Sequence, residues 1–222
     1  MNSITIKPSK LKGIIKAPPS KSLSHRAIIC ASLCSGNGES IIDNVILSED
    51  IKATIEGMTN LGAQIELVEN NKTYIVRAKR EKDMVETAHI NCKESGSTLR
   101  FLIPLSLVLS NECTFTGSGN LVERPLDVYY KIFDEQKIEY ETADGSLPLS
   151  LHGSLTSGNY QVPGNLSSQF ISGLLFALPL LQGDSTVKIE GNLESRGYVD
   201  LTLDMLSKFN ISIENNDYKE FK

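Results

Sequence analysis

Two cations and three hydroxyls stand in one short stretch of this chain, APPSKSLSHRA, residues 17–27. Lys21, Ser22, Ser24 and Arg26 lead directly into the apolar run Ile28-Ile29-Cys30-Ala31. Two later stretches are built alike. ESGSTLR supplies Ser95, Gly96, Ser97, Thr98 and Arg100, and NLSSQ supplies Asn165, Ser167, Ser168 and Gln169. A helix start exposes free backbone N–H groups and the positive end of a dipole, so it favours anions. The plain alternative is N-capping, worth about 1 kcal/mol for each Ser, Thr or Asn. One such stretch fits capping; three in register, one with added Lys and Arg, fit it less well. A second set of loops adds Arg124 in ERPLD and Ser195, Arg196 and Tyr198 in ESRGYVD. Arginine can grip a carboxylate or phosphate with two parallel bonds. Its plain alternative is a surface arginine ahead of a helix whose first turn carries Pro125. Gly96 has no Cβ, so a ligand can come close to its backbone. Lys21 is the best candidate for chemistry, because a desolvated lysine can donate a proton or neutralise an anion. Glu49, Glu123 and Glu194 have no matched partner and read as carboxylates facing helix dipoles. The chemistry in view is polyanion binding, without an evident acid–base pair.

A repeat must position these groups. LGAQIELVENN (61–71), EQKIEYETADG (135–145) and KFNISIENND (208–217) share one pattern: a helix end, an alternating strand and a polar turn. Ile65, Ile138 and Ile211 fall 73 residues apart each time. Leu47, Leu121 and Leu193 fall 74 and 72 apart, and Ser22, Ser97 and Gln169 fall 75 and 72 apart. The unit reads strand, Ser-rich loop, helix, strand, loop, helix, strand, turn, strand. Its first helix is apolar almost all round (FLIPLSLVL, FISGLLFALPLL) and should be buried. Its second helix is amphipathic and should lie against a sheet and face water. Three units imply mixed α/β architecture with pseudo-threefold symmetry: three sheets around buried helices whose starts meet at one end. The units are expected at about 13–80, 86–153 and 159–222, after a strand or crossover segment over 1–12 that includes Ser3–Ile6. One period after Leu147 is position 220, so the chain is expected to stop near the start of its last strand, as a piece of a longer one. A short final strand is the alternative.

Composition narrows the classes. The 222 residues carry a net charge of −5, which gives no electrostatic footprint for nucleic acid. No apolar run is long enough to span a membrane, and the N-terminus lacks the apolar core of a signal peptide. Cys30, Cys34, Cys92 and Cys113 form no CxxC pair and read as reduced thiols of a cytoplasmic protein. His25, His89 and His152 have no metal-ligand spacing, so no metal site is expected.

APPSKSLSHRA, ESGSTLRF, ERPLD, GNLSSQF and ESRGYVDLT together resemble the N-terminal half of the 5-enolpyruvylshikimate-3-phosphate synthase family, the 3-phosphoshikimate 1-carboxyvinyltransferases. The resemblance runs from residue 4 to about 215. It implies an inside-out α/β barrel, or prism, of three βαβαββ units, as one of two similar domains. The C-terminal domain would be absent here, and with it the family's main acid–base carboxylates. It also implies transfer of the enolpyruvyl group of phosphoenolpyruvate to the 5-hydroxyl of shikimate 3-phosphate. Phosphate is released through a tetrahedral intermediate, with neither metal nor organic cofactor, in aromatic amino-acid biosynthesis. By resemblance, Lys21, Ser22, Arg26, Ser167, Ser168, Gln169, Ser195 and Tyr198 would meet shikimate 3-phosphate. Lys21, Gly96, Arg124 and Gln169 would meet phosphoenolpyruvate, whose site the herbicide glyphosate occupies in the family. Lys21 would serve both ligands and is the expected catalytic residue. Ser97 stands where many members carry Thr, and Phe101 where some carry Pro. A monomer is expected, active only with its second half.

Three other readings stand beside this one. UDP-N-acetylglucosamine enolpyruvyl transferases share fold and donor, but usually show Lys-Asn where this chain has Lys21-Ser22. They also usually carry a reactive Cys in the loop that here reads TGSGNLVERP. RNA 3′-phosphate cyclases share the repeat but lack these motifs. A non-catalytic anion-binding module is the alternative from another class.

Overall fold

The computed structural model describes residues 4–5, 7–10, 12–34, 38–70 and 73–222. Its elements fall into three units. The first runs α1 (Lys21–Leu33), β1 (Ser40–Val45), α2 (Glu49–Asn60), β2 (Ala63–Asn70) and β3 (Thr73–Arg80). The second runs β4 (Val85–Asn91), α3 (Gly96–Leu109), β5 (Ser110–Thr116), α4 (Asp127–Gln136), β6 (Glu139–Ala143) and β7 (Ser146–His152). The third runs β8 (Asn159–Pro163), α5 (Ser168–Ala177), β9 (Thr186–Glu190), α6 (Arg196–Lys208), β10 (Asn215–Asn216) and β11 (Glu220–Phe221).

Each unit folds one sheet. The second and third sheets share a topology, β4-β5-β7-β6 and β8-β9-β11-β10, with the first pair parallel and the rest antiparallel. The first sheet, β1-β3-β2, matches them without the leading strand. The three sheets stay separate and do not join into one closed barrel among the described residues. The expectation of three complete βαβαββ units is therefore corrected in the first unit. Residues 12–20 form no strand, and Ile14 and Ile15 are fully exposed. Nothing in the described structure offers them a ladder partner, and a strand without one leaves its backbone to water. In the proposed N-terminal strand, Ile4 and Thr5 are likewise outside any strand, and Ser3 and Ile6 lie outside the described residues. At the other end, the short final strand does form: β11 pairs with β9. β10 is correspondingly brief, because Glu220–Lys222 is all that pairs with Glu214–Asn216.

The inner helices α1, α3 and α5 are buried around their circumference, as their composition requires. Leu99, Phe101, Leu102, Ile103 and Leu105 of α3 are wholly enclosed, each contributing roughly 1.5–3 kcal/mol by burial. Phe101 meets Phe176 of α5 edge to face, with centroids 5.4 Å apart. The outer helices α2, α4 and α6 keep one polar face. α2 packs on β4, and α4 on β8. Among the described residues no strand packs in the matching place beside α6; there Leu206, Phe209 and Ile211 border an apolar groove with Cys30 and Leu180. No helix among the described residues is long and apolar enough to cross a membrane. The four cysteines are free, and burial pushes the Cys30 and Cys113 thiols up to about 12.

Pro104 lies inside α3. It has no N–H, so the Arg100 carbonyl one turn earlier loses its helical donor. The buried Tyr129 hydroxyl of α4 donates to that carbonyl instead. Gly173 of α5 faces the same spot: a Cβ there would collide with the Arg100 carbonyl and the Tyr129 hydroxyl. Gly173→Ala should therefore destabilise the fold by at least about 2 kcal/mol, despite the better helix propensity of alanine. Urea unfolding measures it, and an unchanged or higher midpoint would contradict the packing described.

Candidate functional site

The starts of α1, α3 and α5 meet at one end of the molecule, where they border a cleft of about 500 Å³. Every site residue expected from the sequence lines it. Lys21, Ser22 and Arg26 come from α1, Gly96 from α3, and Ser167, Ser168 and Gln169 from the start of α5. Arg124 comes from the loop before α4, and Ser195 and Tyr198 from the start of α6. Asp50, Glu94, Ser97, Arg100 and Phe101 complete the lining. Four cations thus face two carboxylates in a chain that is acidic overall. Two other hollows of comparable size, about 500 and 580 Å³, lie along sheet faces. The first balances Arg77 and Lys79 against Glu39 and Glu66, and the second has no Lys or Arg.

Capping occupies part of these helix starts. Ser20, Ser95 and Ser167 are the N-caps, accepting from the backbone N–H of Leu23, Thr98 and Gln169. Ser167 is therefore a cap as well as a lining residue. Gln169 is held from both sides: its Oε1 accepts from Arg100 Nη1 at 2.9 Å, and its Nε2 donates to Ser97 Oγ at 2.9 Å. Arg100 Nη2 also reaches the Pro125 carbonyl at 3.3 Å, next to Arg124 in the chain. Arg124 is exposed and forms no ion pair among the described residues. A Cβ on Gly96 would sit 2.7 Å from Arg124 Nη1 and 3.5 Å from Gln169 Oε1. The missing side chain is what leaves that corner open.

The model of the EPSP synthase (3-phosphoshikimate 1-carboxyvinyltransferase) family matches residues 5–222. The chain belongs to the EPSP synthase family. It is 55% identical over 221 residues to a 3-phosphoshikimate 1-carboxyvinyltransferase of Clostridium perfringens, covering 100% of this chain and 51% of that one. It is 54% identical to the enzyme of the same name from Clostridium novyi, covering 100% and 52%. The chain thus spans about half the length of the curated relatives it matches. An EPSP synthase structure from Acinetobacter baumannii shares its fold, with a TM-score of 0.73 at 22% identity over 94% of this chain and 46% of that one.

Within this EPSP synthase fold, three residues behave otherwise than the sequence suggested. Lys21 is engaged: its Nζ lies 2.6 Å from Asp50 Oδ2. Asp50 escaped the sequence reading because its partner is 29 residues away and its neighbour Glu49 looked like a dipole carboxylate. Glu49 itself binds Lys52 and Lys93. Arg26 meets protein hydroxyls and carbonyls rather than a carboxylate. Nε donates to Thr202 Oγ1, Nη1 to the Ser22 carbonyl, and Nη2 to Ser172 Oγ and the Tyr198 carbonyl. Of its five N–H donors, four are thereby committed within the protein. Burial lowers its pKa to about 10, which leaves it charged at neutral pH. Arg100, which the sequence shows only as part of the loop pattern, takes a place in the cleft wall and holds Gln169. Among the described residues no group of three His, Cys, Asp or Glu could hold a metal ion.

His25 lies beneath the cleft and is buried. Its Nδ1 is 2.7 Å from Thr54 Oγ1, which is 2.7 Å from Thr98 Oγ1. Burial lowers its pKa from 6.5 to about 4, with Lys21 and Arg26 adding to the shift and Asp50 opposing it. As pH falls from 6.5, the unfolded chain takes up this proton before the folded one. Stability is therefore lost between pH 6.5 and 4, by roughly 3 kcal/mol at most from this group. His25→Gln should flatten that part of the acid limb in urea unfolding at stepped pH. An unchanged slope would show that His25 does not carry it.

Proposed function

We propose that this chain is the substrate-binding half of a 3-phosphoshikimate 1-carboxyvinyltransferase. Residues 13–222 would form one three-unit domain, residues 1–12 a crossover segment, and a second domain of the longer protein would close over the cleft. The observation that carries the reading is the corner where Gly96, Arg124, Gln169 and Arg100 converge, beside Lys21. It suits a small, multiply charged anion such as phosphoenolpyruvate. The hydroxyls of Ser22, Ser168 and Ser195 with the Tyr198 ring suit a phosphorylated polyol beside it.

In the reaction, the 5-hydroxyl of shikimate 3-phosphate adds to C2 of phosphoenolpyruvate while C3 gains a proton. The tetrahedral adduct then expels phosphate as C3 loses a proton, which restores the double bond. Lys21 would stand where the two substrates meet, moving from Asp50 toward the incoming anions. Arg124 would hold the carboxylate or phosphate of phosphoenolpyruvate with paired bonds. The cleft carboxylates of this chain are Asp50, tied to Lys21, and Glu94. The remaining proton carriers would come from the second half.

The chain alone should bind shikimate 3-phosphate in calorimetry and release no phosphate from the substrate pair. Robust turnover by the chain alone would refute its assignment as half an enzyme. In the longer protein, Lys21→Met should cut turnover by at least about 100-fold with the melting temperature preserved. Near-normal rates would remove Lys21 from the mechanism. Gly96→Ala there should weaken phosphoenolpyruvate by about tenfold or more, since its methyl displaces the Arg124 guanidinium. Shikimate 3-phosphate affinity should hold, and equal loss for both ligands would contradict the placement.

A further inference from the structure

Three buried groups on the outer helices tie the inner helices into a closed ring. Thr54 of α2 stands between α1 and α3, with its Oγ1 2.7 Å from both His25 Nδ1 and Thr98 Oγ1. Tyr129 of α4 stands between α3 and α5, donating to the Arg100 carbonyl with the Phe170 carbonyl 3.4 Å away. Thr202 of α6 stands between α5 and α1, with its Oγ1 2.8 Å from Ser172 Oγ and 2.8 Å from Arg26 Nε. All three are buried. They fall 75 and 73 residues apart, so they occupy one position of the repeat.

The third bridge differs from the others because one of its ends is a cation. Arg26 Nη1 donates to the Ser22 carbonyl at 2.8 Å and Nη2 to the Tyr198 carbonyl at 2.9 Å. Ser22 and Tyr198 both line the cleft. A guanidinium is planar and rigid, so fixing Nε fixes the directions of both Nη groups. The Arg26 carbon also sits 5.0 Å above the centre of the Phe101 ring, which sets the plane but not the rotation within it. The Thr202 hydroxyl holds Nε within that plane, alongside the Ser172 hydroxyl at Nη2, and itself lies 3.2 Å from the Tyr198 carbonyl.

We propose that Thr202 is a positioning residue of the cleft. It does not line the cleft itself; it orients Arg26, which clamps the main chain at Ser22 and Tyr198. A buried Nε–H without an acceptor would turn toward another partner, and both lips of the cleft would shift with it. The link to ligand rests on the functional reading given above; the link to Arg26 does not.

Thr202→Val keeps the shape and removes the hydroxyl. Tyr129→Phe removes a hydroxyl from the same ring position without touching Arg26, and so serves as the matched control. Two readouts are needed in the 222-residue chain: hydrogen exchange of the Arg26 Nε–H by NMR, and affinity for shikimate 3-phosphate by calorimetry. Thr202→Val should speed the exchange and weaken the affinity, each by at least about tenfold. Thr202→Ser should restore both. Tyr129→Phe should lower the urea midpoint and leave both readouts as in the wild type. Wild-type exchange or affinity in Thr202→Val overturns the proposal, and so does an equal change in Tyr129→Phe. If Thr202→Val does not fold, Ser172→Ala should show the same pattern in smaller degree, and wild-type values there overturn it. If the wild type binds no shikimate 3-phosphate, the functional reading fails, and the Nε–H exchange alone decides the role of Thr202.

Discussion

Three inner helices buried side by side, with their starts at one end, are the constraint on which the rest depends. Buried as they are, α1, α3 and α5 are mostly apolar, and their charged residues, Lys21, Arg26 and Arg100, all lie in the first two turns. Ser20, Ser95 and Ser167 satisfy part of the free N–H groups there. The rest of each first turn, with Lys21, Gly96 and Gln169, faces the cleft. An acidic chain thereby acquires a local excess of positive charge without any long-range field.

Close approach of these helices needs gaps and replacements in their backbone bonding. Gly173 gives the Tyr129 hydroxyl room, and Pro104 gives it an unclaimed carbonyl. Arg26 serves the same end by a different route, turning a cation inward to hold two carbonyls of the cleft wall. The cation count alone therefore overstates what is available to a ligand. Lys21 begins in an ion pair and Arg26 is mostly spent on protein groups, while Arg100 supports Gln169. Arg124 is the least committed of the four.

Much of this was legible in the sequence because the repeat is long and its period steady. The inner and outer helices, the three loop–helix starts and all ten expected lining residues follow from spacing and resemblance. What was not legible depends on partners distant in the chain. The leading strand of the first unit looks like its counterparts locally, yet a strand exists only where a neighbour completes its ladder. Asp50 carries no signal of its own in the sequence, because only the fold brings Lys21 of α1 beside it. Arg26 shows only its charge in the sequence, whereas its bonds run to residues up to 176 positions away.

The central claim is that shikimate 3-phosphate engages the starts of α1 and α5 at once, with the α3 start left to the second anion. Backbone amide shifts during titration with shikimate 3-phosphate test it most directly. The account predicts that Ser22 of α1 and Ser168 of α5 move together along one binding curve. Shifts confined to a single helix start, or spread over the sheet faces instead, would contradict it.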